Sequence, residues 1–339
     1  MKSTDRVALS RRVVLGSTLA MPFLHTGSAR AADFTYKLAT GQSLDQPVNA
    51  RLDQACGRIR EATKGRLDIH FFPASQLGGD TDLISQVRSG GIDFLNIAGS
   101  VLSTVVPAAA ITNVGFAFSS YDQVWSGMDG RLGAYVRDQI EKTGMIVAAK
   151  PYDNGFRQIT SSAKPIRTPP DLQGYKIRVP VSPIFVSLFR ALGAGPTSIN
   201  FNELYTALQT HLVDGEENSL VTVYAGKLYE VQKYVSETNH IWDPFWLIGN
   251  RRSLNNLPAD IRKAARNEFD RGATEQRADS MRLNGSLKGE LADKGMTIEA
   301  ADQAAFRAAL VKAGFYKEWR EKFGADGWAT LEAAAGPLA

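Results

Sequence analysis

Two arginines sit among strand-forming residues: Arg157 follows Asn154-Gly155-Phe156, and Arg178 lies within Lys176-Ile177-Arg178-Val179-Pro180. An arginine flanked by Ile and Val in a strand either points out of the sheet or serves a site. A buried guanidinium is tolerated when a carboxylate meets its fork with two parallel hydrogen bonds. That carboxylate belongs either to the protein or to a ligand, and the residues alone leave both open. Asn218 adds an amide nearby in the chain, and Phe201, Trp242, Phe245 and Trp246 add aromatic surface that suits packing or pocket walls equally.

Other chemistries find little support. There is no dinucleotide-binding glycine fingerprint, P-loop, His-Glu-x-x-His or Gly-x-Ser-x-Gly elbow. Beyond the first 31 residues the histidines are His70, His211 and His240, too scattered for an acid/base pair. Asp214, Glu216 and Glu217 form one acidic cluster, but its spacing matches no calcium loop. A turn leading into a helix N-terminus, where carboxylates favour the dipole, is the simpler account. No catalytic residue, metal site or cofactor is expected.

The elements that position these residues alternate. Phe34 to Ala39 reads as a strand, Pro47 to Thr63 as a helix with Val48, Leu52, Cys56 and Ile59 on one face, and Leu67 to Phe72 as a second strand. Asp80 to Ser89 reads as a helix stopped by Gly90-Gly91, and Ile92 to Ile97 as a third strand. This β-α-β-α-β order predicts an α/β fold with parallel strands, whose ligands bind at the carboxyl ends of those strands. A second α/β block begins near Gly155, with strands at Phe156 to Thr160 and Lys176 to Val179 and helices near Pro183 to Leu192 and Asn202 to Leu212. A further helix is expected from Gly215 to Tyr229 and a strand from Tyr234 to Thr238. Ile261, Ala265, Phe269, Leu283, Leu287 and Leu291 predict a helix of about 50 Å, long enough to brace two domains. A strand and short helices complete the chain from Met296.

Charge belongs mostly to the start. Of 39 Lys and Arg and 35 Asp and Glu, residues 1–31 hold five basic and one acidic, leaving 34 of each beyond them. The chain after residue 31 is therefore neutral overall, which gives no case for nucleic acid or an anionic membrane as partner. Arg11-Arg12, the short apolar stretch Val13 to Leu24, and Ala29-Arg30-Ala31 read as an export signal cleaved after Ala31. Ser10-Arg11-Arg12 with Leu15 resembles a twin-arginine leader; a general secretory signal with a chance arginine pair is the alternative. No later apolar run is long enough to span a membrane. The single cysteine, Cys56, rules out an internal disulfide framework and lies in phase with a buried stripe.

An ordered series of motifs carries a family resemblance. It runs Pro73-Ala74-Ser75-Gln76-Leu77-Gly78, Gly91-Ile92-Asp93-Phe94, Gly155-Phe156-Arg157-Gln158-Ile159-Thr160 and Pro170-Asp171-Leu172-Gln173-Gly174-Tyr175-Lys176-Ile177-Arg178-Val179-Pro180. It continues through Asn202-Glu203-Leu204-Tyr205-Thr206-Ala207-Leu208-Gln209-Thr210, Val213-Asp214-Gly215-Glu216-Glu217-Asn218 and Thr238-Asn239-His240. Residues 35–325 thereby resemble the extracytoplasmic solute-binding subunit of tripartite ATP-independent periplasmic (TRAP) transporters, the DctP type.

The resemblance implies a two-lobed periplasmic binding protein fold with a long bracing helix and crossover strands, closing on an organic anion. The lobes are expected at 32–154 with 244–282 and at 155–243 with 283–339. Arg178 matches the family's carboxylate clamp and Arg157 its assisting arginine; Asn218 and Phe201 match cleft positions, and Asp80 a polar contact from the first lobe. Ser219 stands where a proline often follows that asparagine. The aromatic run Ile241 to Trp246, with Phe156 and Phe201, would wall an apolar, even aromatic, part of the ligand or else cement the hinge. Few cations beyond the two arginines favour a mono- or small dicarboxylate. The implied partner is a TRAP permease and the location the periplasm; a periplasmic enzyme on the same architecture and a sensor's binding component are the alternatives.

Overall fold

The computed structural model describes residues 31–338, and those from Ala32 onward belong to one compact unit. The expected export signal lies outside the described residues except for Ala31. Eleven strands are present among the described residues: β1 (Phe34–Thr40), β2 (Leu67–Phe72), β3 (Phe94–Ala98), β4 (Met145–Val147), β5 (Tyr152–Ser161), β6 (Lys176–Val179), β7 (Gly195–Ser198), β8 (Gly215–Ser219), β9 (Tyr234–Glu237), β10 (Trp242–Asn250) and β11 (Thr297–Ala300). Their main path is β2-β1-β3-β10-β5-β8-β6-β7, with β4 on β10, β9 on β5 and β11 on β9.

The path divides at its middle. β1, β2 and β3 are mutually parallel, as the alternating pattern predicts, and so are β6, β7 and β8. Between the two groups β10 runs antiparallel to both β3 and β5, and β5 runs antiparallel to β8. β5 and β10 therefore cross from one half of the sheet to the other, and a bulge at Asp243 and Pro244 marks where they meet.

The helix Ala259–Asp293 bridges the two halves. Ile261, Ala265, Phe269 and Ala273 enter the larger apolar core, whereas Leu287 and Leu291 enter a separate core with Leu204, Leu208, Val223 and Val235. It is continuous through Gly272 and Gly285. At Gly272 a side chain would meet the Tyr152 hydroxyl at 3.2 Å, so the small residue lets the helix approach β5. Gln276 bonds both the amide and the carbonyl of Asp153, each at 2.8 Å.

One stretch departs from the sequence reading. Gly215 to Ser219 is a strand, Leu220–Ala225 is a short α-helix and Leu228–Glu230 a 3-10 turn, where a single helix to Tyr229 is expected. All five residues of β8 are buried although Glu216, Glu217, Asn218 and Ser219 are polar. A strand covered by β5 and β6 and filled with polar side chains has neither a two-residue nor a 3.6-residue apolar period. Cys56 is buried, and burial pushes its thiol up to about 12, which leaves it protonated and inert.

Among the described residues, no helix is long and apolar enough to cross a membrane.

Candidate functional site

Arg178 occupies the third position of β6, in register with Glu216 of β8 and Thr197 of β7. Only 2% of the residue is exposed. Its Nε and Nη2 donate to the Ile199 carbonyl at 2.9 and 2.7 Å. Among the described residues no carboxylate comes within 4.0 Å of the guanidinium, and Nη1 makes no hydrogen bond. Burial pulls Arg178 down to about 10; Glu216, Glu217 and Asp80 oppose that and Arg157 adds to it. Arg178 remains a cation at neutral pH, with one edge tied down and the other open.

Arg157 differs. Its Nε and Nη2 meet Glu217 Oε2 and Oε1 at 2.5 and 2.9 Å, and Nη2 also donates to the Asn218 Oδ1 at 2.9 Å. Asp243 lies 3.7 Å from Nη1, and the Phe185 ring covers the guanidinium. Burial alone would raise Glu217, but Arg157 and then His240 hold it below the usual carboxylate range. His240 is itself buried, which lowers its basicity, and its Nε2 lies 3.2 Å from Glu217 Oε2. The carboxylate that Arg157 meets is thus the protein's own.

Asn218 links Arg157 to Glu216, the register partner of Arg178. With its Oδ1 held by Arg157, its Nδ2 is turned to Glu216 Oε2 at 2.5 Å. From the other half of the sheet comes Asp80, at the first position of the helix Asp80–Ser89, where the helix dipole favours a carboxylate. It is 4% exposed and its Oδ1 has no hydrogen-bond partner. Burial pushes Asp80 up to about 6 against the pull of Arg178. Gly41 makes this approach possible, because a Cβ there would lie 2.1 Å from Asp80 Oδ1. Phe201 opens the helix Phe201–Gln209 and lines a cavity of about 210 Å³ with Gly41, Ser75, Asn202 and Gly226. Asn200 to Thr81 at 3.1 Å and Gln46 to Thr222 at 2.8 Å draw the two sides of this cleft together.

Arg178, Asn218, Asp80 and Phe201 are thus brought to the junction of the halves. Trp242 and Phe156 are not. Trp242 is buried at the crossover, donating to Asp153 Oδ1 at 2.9 Å and packing edge-on against Trp125. Phe156, one residue from Arg157, points to the opposite face of β5. There it packs on Tyr121 and lines a different, open cavity with Phe116, Asn239 and Arg307.

Sequence reasoning missed Asp243. This buried carboxylate accepts from Ser100 N and Oγ, Asn113 and Asn154, joining β10 to both halves. A lone acid inside the aromatic run Trp242 to Trp246 was the available signal. Asn200 and Thr81 carried none, since pairing across a cleft leaves no local pattern.

Two halves joined by crossing strands and one long helix, with a buried, half-open guanidinium between them, define a two-lobed solute-binding protein. Residues 20–322 match the model of the DctP family, bacterial extracellular solute-binding protein, family 7. The solute-binding protein RD1_1052 of Roseobacter denitrificans is 35% identical over 298 residues, covering 87% of this chain and 90% of that protein. Its crystal structure with bound L-galactonate superposes with a TM-score of 0.83 at 29% identity, covering 90% of this chain and 99% of that one. The 2,3-diketo-L-gulonate-binding periplasmic protein YiaO of Escherichia coli is 32% identical over 239 residues, 70% of this chain and 72% of its own. A TRAP periplasmic solute-binding protein of Sulfurospirillum deleyianum with bound succinate has a TM-score of 0.84 at 26% identity, covering 89% and 99%. The chain belongs to the DctP family of extracellular solute-binding proteins.

Proposed function

We propose that this protein captures a small organic acid by its carboxylate on the open edge of Arg178 and delivers it to a TRAP permease from the periplasm. The observation that carries the reading is the clamp itself: a fully buried guanidinium with its Nε edge fixed to Ile199 and its remaining donors unpaired. An ionised oxygen placed there gains two parallel charge-assisted hydrogen bonds in surroundings that exclude water. Asp80, which feels the charge of Arg178, and Asn218, bonded to Glu216 beside it, would contact the bound acid, and Phe201 would cover it from the adjoining cavity. Arg157 acts as a positioning residue, fixing Asn218 through its amide oxygen. The chain exported would begin after Ala31, with lobes at 32–154 plus 244–282 and 155–243 plus 283–339.

The charges favour one carboxylate over two. Arg178 is the single guanidinium of the pair without a protein carboxylate, whereas Asp80 offers an acceptor oxygen that has no hydrogen-bond partner. A second carboxylate would face that acid, while a hydroxyl group would donate to it. The site therefore suits a hydroxylated monocarboxylate, as L-galactonate is, better than a dicarboxylate. An aromatic acid has less support, because Trp242 and Phe156 lie away from the clamp.

A thermal-shift screen with L-galactonate, 2,3-diketo-L-gulonate, succinate and benzoate, followed by calorimetry, tests the reading. The sugar acids should raise the melting temperature most, succinate less and benzoate least. Stabilisation by an uncharged polyol but by no carboxylate would overturn it.

A further inference from the structure

Two buried, oppositely charged side chains face each other across β6 and β8 without meeting. Arg178 and Glu216 are register partners on parallel strands, so their side chains leave the sheet on the same face. Yet no guanidinium nitrogen of Arg178 comes within 4.0 Å of a carboxylate oxygen of Glu216. Glu216 is 0% exposed and holds only neutral donors: Thr160 Oγ1 at 2.7 Å on Oε1 and Asn218 Nδ2 at 2.5 Å on Oε2. Its neighbour Glu217, on the opposite face, has Arg157 in bidentate contact and His240 besides. Two successive glutamates of one strand therefore have opposite surroundings, one ion-paired and one not.

A buried carboxylate without a bonded cation keeps its charge only through more distant compensation. For Glu216 the charged groups around it are Arg178 from β6, which favours the anion, and Glu217 of its own strand, which opposes it. Arg157 of β5 feels Glu216 in turn, as does the Tyr175 phenol just before β6. Asp80 approaches Arg178 from the first half of the sheet. Arg178 is the nearest cation on the Glu216 face, and it is also the group that the ligand would occupy.

Resting on the clamp reading above, we infer that Glu216 takes up a proton from solvent when an organic anion binds Arg178, so that the site holds its acid together with a proton. An incoming carboxylate neutralises Arg178 and sets a second negative charge near Glu216, through Asn218 as well as across the strand pair. Both changes disfavour the glutamate anion. Protonation lets Glu216 keep its acceptor bond from one donor and turn the other oxygen into a hydroxyl. Burial already pushes Glu216 up to about 7 before any ligand arrives, so the proton is available in the neutral range. The sign follows: occupancy of Arg178 raises this value further, so affinity is full below it and falls as pH climbs from about 7 toward the ligand-bound value.

Calorimetry of L-galactonate binding in buffers of different ionisation enthalpy counts the protons. The wild-type protein should take up about half a proton per L-galactonate at pH 7, rising toward one at pH 8, and its affinity should fall by up to about tenfold per pH unit in that range. Glu216→Gln keeps both hydrogen bonds if its amide turns its oxygen to Asn218 and its nitrogen to Thr160. It should bind L-galactonate at least as tightly at pH 8, with no proton uptake and a flat pH profile. Uptake that persists in Glu216→Gln but disappears in Asp80→Asn would overturn the assignment. So would a wild-type affinity that is level from pH 6 to 9, a measurement that needs no variant. If none of the four acids binds at any pH, the clamp reading falls and this inference falls with it; binding without proton uptake removes the inference alone.

Discussion

Arg157 and Arg178 make an instructive pair. Both are buried to about the same degree, both sit in strands, and both belong to the half of the sheet built on β5, β6 and β8. Around Arg157 the protein supplies the carboxylates, with Glu217 and Asn218 accepting from Nε and Nη2, Asp243 3.7 Å from Nη1 and Phe185 above. Around Arg178 one carbonyl answers one edge. The first arrangement holds the crossover together. The second leaves a buried charge short of a partner, which is what a site for an anion requires. Equal burial therefore says nothing about role; the location of the compensating carboxylate does.

Mutation should separate the two. The largest effect is expected for Arg157→Ala, which strands Glu217 inside the protein and should lower unfolding stability by about 3–5 kcal/mol in urea titrations. A loss below about 1 kcal/mol would mean that this pair is not the structural member. Arg178→Ala should leave stability unchanged or slightly higher, since it removes a buried cation that no carboxylate meets. Its effect belongs to binding, a loss of about 1.5–3 kcal/mol in calorimetry with L-galactonate. Retained affinity in a folded Arg178→Ala protein would dissolve the contrast.

Smaller effects sharpen it. Trp242→Phe removes the donor to Asp153 and should cost about 1–3 kcal/mol of stability while affinity holds, because the ring lies at the crossover and not in the cleft. Phe156→Ala should change L-galactonate affinity by less than about twofold, since its ring packs on Tyr121 and lines a separate cavity with Phe116, Asn239 and Arg307. A large loss of affinity in either variant would bring the aromatic run back into the site.

How far this was legible differs by region. The first three strands and the helices between them follow from regular apolar spacing, and their observed bounds differ from the expected ones by no more than two residues. The long helix was legible for the same reason, from Ile261 to Leu291. β8 was not, because its buried residues are glutamates and an asparagine whose partner strands, β5 and β6, lie far away in the chain. At the junction, residue types pointed to Arg178, Asn218 and Phe201 and the family resemblance to Asp80, while Trp242 and Phe156 were named for their rings and lie elsewhere.

By itself, then, the sequence determined the alternation of strands and helices, the neutral charge beyond the first 31 residues, and the presence of two arginines able to hold a carboxylate. Those are properties of residue type and local spacing, which a single chain displays openly. Only the tertiary structure decided which arginine is already satisfied. That depends on whether a carboxylate 60 residues distant, Glu217, is folded back to within hydrogen-bonding distance, and on Arg178 lying in register with Glu216 yet beyond its reach. A charge is the same letter wherever it stands, and its partner is set by a distance in space that no spacing along the chain records.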